Sequence, residues 1–273
     1  FSQDNFKNIS ISYNNIFSEI KDLSSLNGYI DFSGKKHKIP NKKFDVYGTI
    51  STLDLDKWKY FNNKDSNVNY ISYLNKINIK INKLSKNNVI LNNFTAIGSS
   101  SNNGFHFDEI TSFSDIANIY ANGFIEDNNI SSFKINLKSK NLQNLLNYWD
   151  VDHSLRNSTI DSNFDISWKG SLFDFNIKNV YGEFSTNMKE GRIKKVGNRV
   201  TRIFGLFNID LLAKRLSLDF DDVTKNGFYF NSLDGDFRID NGNIFTTNLF
   251  IKGPSAELLA VGTTDIINET YDM

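Results

Sequence analysis

LSLDF at residues 216–220 opens the stretch that decides the fold, which continues as GFYFNSLDGDFRIDNG (227–242) and TNLFIKGPSAEL (247–258). Apolar and polar residues alternate within these segments. Because successive strand residues point to opposite faces, each segment predicts strands with one apolar face. Between the strands, DGD (234–236) and DNGN (240–243) are residue types that tolerate the positive φ of tight turns. The stretch therefore predicts a meander of antiparallel strands.

Similar alternation upstream predicts further strands. Ile77, Ile79 and Ile81 lie at alternate positions, and Val89 and Leu91 follow across the turn residues 86–88, a pattern typical of a hairpin. Other strands are predicted at 44–50, 92–97, 104–110, 117–125, 133–139, 160–168 and 173–177. The chain is thus expected to be mainly β.

Helical spacing is found at a few places only. Ile16, Ile20 and Leu23 follow a strand predicted at 9–13 and favour a short helix. A second helix is predicted from Leu142, Leu145, Leu146 and Trp149, with Ser139 or Asn141 as its cap. Two more are predicted between 194 and 216, with apolar positions at Val200, Ile203, Phe204 and Phe207, and at Leu211, Leu212 and Leu216.

The composition limits the classes of partner. The 273 residues hold 31 Lys and Arg against 31 Asp and Glu, so no net field attracts nucleic acid, and no nucleic-acid partner is expected. The chain has no Cys, which excludes disulfides and thiol catalysis. No window approaches the roughly 18 consecutive apolar residues of a membrane-spanning helix. The chain is expected to be a piece of a longer protein, with any membrane anchor outside it.

No pattern of catalytic residues stands out. His37, His106 and His153 are far apart and share no metal-ligand spacing, so no metal site is predicted. The acidic clusters beside the turns lack the regular Asp-x-Asp-x-Asp-Gly calcium loop and are interpreted as outward charges at strand ends. The basic run at 35–38 is interpreted as a solvated hairpin tip. The chain is therefore interpreted as non-enzymatic, with no catalytic residue and no cofactor.

Several segments together resemble the C-terminal region of the AsmA-like proteins and, within that group, the YhdP branch. The matching segments are LSLDF, GFYFNSLDGDFRIDNG, TNLFIKGPSAEL and GTTDI (262–266), preceded by WKGSL (168–172), Gly182 and GRI (191–193). Spaced matches in one order are more specific than a single short motif, and the resemblance extends from about residue 133 to residue 273. AsmA-like proteins are described as elongated β-grooves with a continuous apolar interior.

The resemblance implies a mainly β fold in which a long curved antiparallel sheet forms an elongated apolar β-groove, with a few short amphipathic helices. We expect AsmA-like β-groove repeats at 1–190, a short amphipathic helical pair at 191–217, and a C-terminal antiparallel meander at 218–273 that continues the groove. The side chains expected to line the groove are Ile77, Ile79, Ile81, Phe133, Ile135, Leu137, Phe164, Ile166, Phe173, Phe175, Leu218, Phe220, Phe228, Phe230, Phe237, Ile239, Leu249 and Ile251.

The helical pair carries a second expected site. Arg199, Arg202, Lys214 and Arg215 surround its apolar positions, and a basic amphipathic helix can contact lipid headgroups at a membrane surface. The alternative interpretation is that the apolar stripe covers the end of the sheet while the cations are solvated.

As a function, the resemblance implies a periplasmic segment of a bridge-like protein, tethered to the inner membrane by a segment outside this chain. Such a protein would move phospholipids between the inner and outer membranes, and would have an outer-membrane or periplasmic protein as a further partner. One alternative is an outer-membrane protein assembly scaffold like the TamB branch, in which an exposed strand edge templates a client strand. Another is a closed β-sandwich adhesin or binding module, in which the apolar face is an ordinary core.

Overall fold

A computed structural model describes residues 7–13, 16–22, 27–57, 70–151, 155–170, 174–193, 228–254, 257–267 and 270–272. Contacts within the chain divide it into two compact units. Unit 1 comprises residues 1–114 and 120–131, and unit 2 comprises residues 115–119 and 132–273. In the described part of the chain, no helix is long and apolar enough to cross a bilayer.

Strands β1 to β8 lie in unit 1, apart from the first residues of β8. They are β1 Lys7–Tyr13, β2 Ile16–Asp22, β3 Asn27–Asp31, β4 Phe44–Asp54, β5 Leu74–Lys86, β6 Val89–Ser101, β7 Gly104–Phe113 and β8 Ala117–Glu126. A 3-10 helix at Tyr70–Tyr73 precedes β5. Each strand is hydrogen-bonded to the next one in the chain.

Unit 2 contains the remaining strands and one short α-helix. They are β9 Ile130–Ser139, α1 Leu142–Tyr148, β10 Leu155–Arg156, β11 Thr159–Lys169, β12 Val180–Ile193, β13 Phe228–Asp240, β14 Asn243–Lys252, β15 Glu257–Asp265 and β16 Thr270–Asp272. The neighbours in the sheet follow the order β9-β11-β12-β13-β14-β15-β16, and β10 pairs with β12. The prediction of a mainly β chain built on a long antiparallel sheet is confirmed.

Several local predictions are also confirmed. β5 and β6 form the expected hairpin, with Asn87 at φ 51° in its turn. β13 and β14 form another, with Asn241 at φ 49° and Gly242 at φ 87°, residues that adopt this backbone conformation at low cost. Helix α1 begins after Asn141, whose side chain accepts a hydrogen bond from the Asn144 amide at 3.0 Å. Its three leucines are buried.

Two pairs of strands in unit 1 are parallel, which departs from the predicted antiparallel sheet. β3 pairs with β4 and β4 pairs with β5 in parallel registers. Parallel neighbours need a long connection that returns the chain to the same end of the sheet. Residues 32–43 and 55–73 provide those connections. The run at 35–38 therefore belongs to a crossover and not to a hairpin tip, which corrects the prediction.

The helix predicted from Ile16, Ile20 and Leu23 is wrong. Residues Ile16–Asp22 form β2, which pairs with β1 on one side and β3 on the other. Backbone hydrogen bonds to two neighbouring strands outweigh a helical spacing of three apolar residues, because intrinsic helix propensity is a weak preference.

Two predictions around β12 and β13 are also wrong. DGD at 234–236 is not a turn but lies inside β13, where the register against β14 shifts between Asp234 and Phe237. The strand predicted at 173–177 is absent from its described residues. Instead, Ile177–Asn179 form a 3-10 helix, whose cap Asn176 accepts a hydrogen bond from the Lys178 amide at 3.0 Å.

Candidate functional site

The candidate site in unit 2 is one uncharged face of its sheet, called here the inner face. It is formed by alternate residues of β9 and β11 to β15. Its larger side chains are Phe133, Ile135, Leu137, Ile160, Phe164, Ile166, Trp168, Val180, Phe184, Met188, Ile193, Phe228, Phe230, Leu233, Phe237, Ile239, Ile244, Leu249 and Ile251. Leu258 of β15, which lies opposite Ile251, belongs to the same face, and the other residues on it in these strands are Ser, Thr, Gly and Ala. The alternation of the sequence therefore becomes a continuous apolar surface.

Partway along β12 and β13, the positions that point to the inner face change between even-numbered and odd-numbered residues. We call this a change of phase, and it keeps the inner face apolar along both long strands. Met188 and Leu233 are buried partners, as are Ile193 and Phe228, although the two pairs are five positions apart along each strand, an odd spacing that would ordinarily place them on opposite faces. Both strands change phase at the same place, where Glu190 has φ 54°. Phe228 and Phe230 therefore share a face with Phe237 and Ile239.

Stacked aromatic rings cross the inner face perpendicular to the strands. Phe164 of β11 stacks on Phe184 of β12 with ring centroids 5.5 Å apart, and Phe184 stacks on Phe237 of β13 at 4.7 Å. Such stacked pairs add about 0.5–1.5 kcal/mol to the free energy of burying their area. Beside this stack, Gly235 leaves room for the Phe237 ring, which a Cβ at position 235 would approach to 2.9 Å.

Unit 1 has an inner face of the same character. Ile77, Ile79 and Ile81 of β5 lie opposite Gly98, Ala96 and Phe94 of β6. In β7, Phe105 and Phe107 are buried and their rings meet edge to face, with centroids 5.1 Å apart. Ile79 and Ile81 are 9% and 2% exposed, so the strand predicted most clearly in the first half of the chain does bury its isoleucines.

The opposite face of unit 2, called here the outer face, carries the charges. Lys138 of β9 pairs with Asp161 of β11 at 2.9 Å, and Lys134 pairs with Asp165 at 3.6 Å. The hydrogen bond from Lys138 lowers the pKa of Asp161, partly offset by burial and helped by a bond from Asn136. A polar depression of about 370 Å³ on β11 to β14 is lined by residues that include Asp161, Asp234 and Asp236. The sheet thus separates these charges from the apolar side chains of the inner face.

The crossover between β3 and β4 is held by a polar cluster in unit 1. The His37 Nε2 lies 2.6 Å from the Asp31 carboxylate, and the imidazole stacks on Tyr47 with centroids 4.2 Å apart. Burial, together with a hydrogen bond to Asp45, raises the pKa of Tyr47 to about 12. Lys35, the neighbouring lysine of the basic run, is exposed. Among the described residues, no group of three His, Asp or Glu could hold a metal ion.

The predicted groove residues fall into four groups: buried, half-buried, exposed, and outside the described residues. The buried ones are Ile79, Ile81, Phe133, Ile166, Phe228, Phe230, Phe237, Ile239, Leu249 and Ile251. The half-buried ones are Ile77, Ile135, Leu137 and Phe164. Phe175 lies outside the strands, is 50% exposed and meets Trp168 edge to face at 5.2 Å. Phe173, Leu218 and Phe220 lie outside the described residues, as do Arg199, Arg202, Lys214 and Arg215.

Sequence reasoning missed Phe184, the central ring of the stack. The alternate positions on either side of Phe184 are Gly182 and Thr186. The local sequence therefore lacks the alternating large apolar residues that predicted the other strands. A signal was present in YGEFSTNM (181–188), where Phe184 and Met188 have the same parity.

Comparison with known proteins identifies the family. The family model described as YhdP protein matches residues 3–273. The chain belongs to the YhdP family. The intermembrane phospholipid transporter YhdP of Escherichia coli (strain K12) is a curated relative, 22% identical over 147 residues. That alignment covers 54% of this chain and 12% of the relative. No solved structure matches the chain.

Proposed function

We propose that this chain is a periplasmic segment of a bridge-like lipid-transport protein. In this proposal, phospholipid moves between the inner and outer membranes with its tails against the inner faces of the sheet. Membership of the YhdP family and the name of the Escherichia coli relative support phospholipid as the cargo. The anchor in the inner membrane would belong to a segment outside this chain.

The observation that carries the proposal is the absence of charge from the described inner face of unit 2. From β9 to β15, that face presents aromatic, aliphatic and small side chains, whereas Lys134, Lys138, Asp161 and Asp165 lie on the outer face. A lipid tail needs an apolar surface without charged groups, since burying an unpaired charge under the tail is costly.

The free energy of hydrating a lipid tail explains why such a surface is useful. Each methylene that leaves water contributes about 0.8 kcal/mol, so a tail of about 16 carbons costs roughly 13 kcal/mol to expose. A face that keeps the tail covered lowers this barrier while the headgroup stays hydrated. The process requires no bond to be broken, so the proposal assigns no catalytic residue and no cofactor.

Lipid extraction and native mass spectrometry of the chain, purified from a Gram-negative periplasm, test the proposal. We expect several phospholipids to be bound to each chain. A well-folded chain without lipid would contradict the proposal. Capture of outer-membrane β-barrel proteins in place of lipid would instead favour the assembly scaffold.

A pair of variants separates the inner face from the outer face. Phe184→Asp places a charge in the aromatic stack, and we expect it to reduce the bound lipid severalfold. Tyr229→Asp is the matched control, because Tyr229 is 48% exposed and points to the outer face beside Arg192. Circular dichroism confirms that each variant retains its sheet. Equal loss of lipid from both folded variants would contradict a role of the inner face.

A further inference from the structure

The inner face of unit 2 is not buried to the same depth everywhere. Half-buried apolar side chains are concentrated on three neighbouring strands, at Ile135 and Leu137 of β9, Ile160 and Phe164 of β11, and Phe184 of β12. We call this group the central strip. On either side of it along the strands, Ile166 and Trp168 are 7% and 4% exposed, and Met188 is 3% exposed.

On β13 and β14, the next two strands of the sheet, the inner face is closed, whereas Leu258 and Ala260 of β15 are half-buried again. Phe230, Leu249 and Ile251 of β13 and β14 are 2%, 0% and 1% exposed. A ligand could contact these side chains only after their packing had opened. The central strip, with five half-buried side chains compared with Leu258 and Ala260 on β15, is therefore the larger accessible apolar area of the described inner face of unit 2.

The polar groups of the central strip are already satisfied. Ser162 and Thr186 lie among its apolar residues, and their hydroxyl groups are 2.6 Å apart, so one donates to the other. Strand β11 is paired with β9 and β12, and β12 is paired with β11 and β13 along its length. The backbone there has no open edge for an added strand.

An occupant of the central strip must therefore be one that needs no hydrogen bond. A peptide strand, a sugar or a lipid headgroup would each lose hydrogen bonds to water without replacement, which is unfavourable. A hydrocarbon chain loses none and gains from covering half-buried apolar area. We propose that the central strip is the place where unit 2 receives the acyl tails of a phospholipid, while the face formed by β13 and β14 stays closed. This inference depends on the proposed lipid-transport function.

Site-specific photo-crosslinking in the full-length protein tests it. The photoreactive residue benzoylphenylalanine, which attaches to C–H groups that it touches, replaces one aromatic residue at a time. Phe164 and Phe184 report the central strip, Phe230 reports the closed face, and Tyr229 reports the outer face on the same strand as Phe230. All four exchanges replace one aromatic ring by another, so they are matched in size. Lipid adducts are measured by mass spectrometry after irradiation of cells.

We expect phospholipid adducts at Phe164 and Phe184 to exceed those at Phe230 and Tyr229 severalfold. Equal yields at Phe230 would overturn the restriction to the central strip and leave the proposed function standing. Protein adducts without lipid at Phe164 and Phe184 would overturn the hydrocarbon occupant. Lipid at none of the four positions, together with no lipid in extracts of the purified chain, would overturn the inference and the proposed function together.

Discussion

At the scale of single residues, the charges that the described chain buries are instructive. Asp31 and Asp45 are 2% and 4% exposed, and both are held by hydrogen bonds. Asp31 accepts bonds from His37 and from the backbone amides of Ser33 and Lys35, and Asp45 accepts from the Tyr47 hydroxyl at 2.8 Å. A buried carboxylate is tolerated only with such partners. Asp31 therefore holds the crossover of unit 1, whereas Asp45 accepts a hydrogen bond from Asn75 at 2.7 Å and links β4 to β5.

Asp31 should make stability depend on pH. Burial by itself raises the pKa of Asp31. The hydrogen bonds from His37 and the two amides together lower it by more, so the pKa of Asp31 lies below its ordinary value. Such a group stabilises the fold fully above its unfolded pKa of about 3.9 and loses this contribution as pH falls below that value. We expect the free energy of unfolding to fall as the pH is lowered from about 5 through the lowered pKa of the folded state, and less steeply in Asp31→Asn.

Denaturant titrations over that pH range measure this effect. Asp108→Asn is the control, since Asp108 is an exposed carboxylate on β7 of the same unit. At neutral pH, Asp31→Asn should cost about 1–3 kcal/mol, because hydrogen-bond donors lose a charged acceptor. An identical pH slope in the native chain and Asp31→Asn would refute this role for Asp31.

Gly182 is a residue whose backbone conformation excludes a side chain. Its φ is 141°, and a Cβ would lie 2.8 Å from the Ile166 Cα on β11. We expect Gly182→Ala to cost about 1–3 kcal/mol, the range for a strained backbone position. Ser185→Ala on the same strand is the control, and urea denaturation gives the comparison. A Gly182→Ala variant as stable as the control would show that β11 and β12 can separate there without cost.

At the scale of elements, local hydrogen bonds define where α1 starts, and pairing with distant residues defines how the strands run. Asn141 begins α1 through one side-chain bond to the Asn144 amide. In contrast, β12 and β13 change phase together at Glu190, and their paired register continues on both sides of the change. The inner face remains apolar because both partners change phase at one place. A change in one strand alone would turn its apolar residues to the outer face.

The cap of α1 gives a prediction at this scale. Asn141→Ala removes the acceptor for the Asn144 amide and should destabilise the chain by about 1 kcal/mol. Asn144→Ala is the control, because Asn144 is exposed and alanine has the higher helix propensity. Thermal unfolding followed by circular dichroism measures both. If Asn141→Ala melted at or above the temperature of Asn144→Ala, the cap would contribute nothing.

At the scale of the whole molecule, the chain separates apolar area from charge within each unit. It carries equal numbers of acidic and basic residues, so attraction to a membrane must come from local groups and not from net charge. The basic residues of the predicted helical pair remain the candidates for contact with headgroups. They lie outside the described residues, so their role remains a prediction from the sequence.

Binding to anionic vesicles tests those residues. Replacing Arg199, Arg202, Lys214 and Arg215 together by Gln should weaken binding, by up to about 1 kcal/mol for each cation that reaches the surface. The control replaces Lys76, Lys80, Lys83 and Lys189, four exposed lysines of β5 and β12, which removes the same charge elsewhere. Sedimentation with vesicles of phosphatidylserine and phosphatidylcholine measures both. Equal weakening of vesicle binding in the two variants would show that only the total charge matters. It would contradict a specific role of the four predicted residues.

The sequence by itself determined which residues lie on one face of most strands, the hairpin turns at Asn87 and Asn241, and the start of α1 to within two candidate caps, Ser139 and Asn141. These features depend on a side-chain period of two and on contacts a few residues apart, which a single stretch of sequence contains. The family resemblance rested on spaced segments and was confirmed by the match over residues 3–273.

Only the tertiary structure decided the parallel pairs of β3, β4 and β5, the strand at Ile16–Asp22, the continuous β13, and the joint change of phase at Glu190. It also decided that Phe184 and Phe164 are half-buried while Phe230 and Leu249 are closed. The physical reason is that hydrogen-bond pairing and burial depend on strands distant in sequence, and no local pattern specifies which partner a strand will meet.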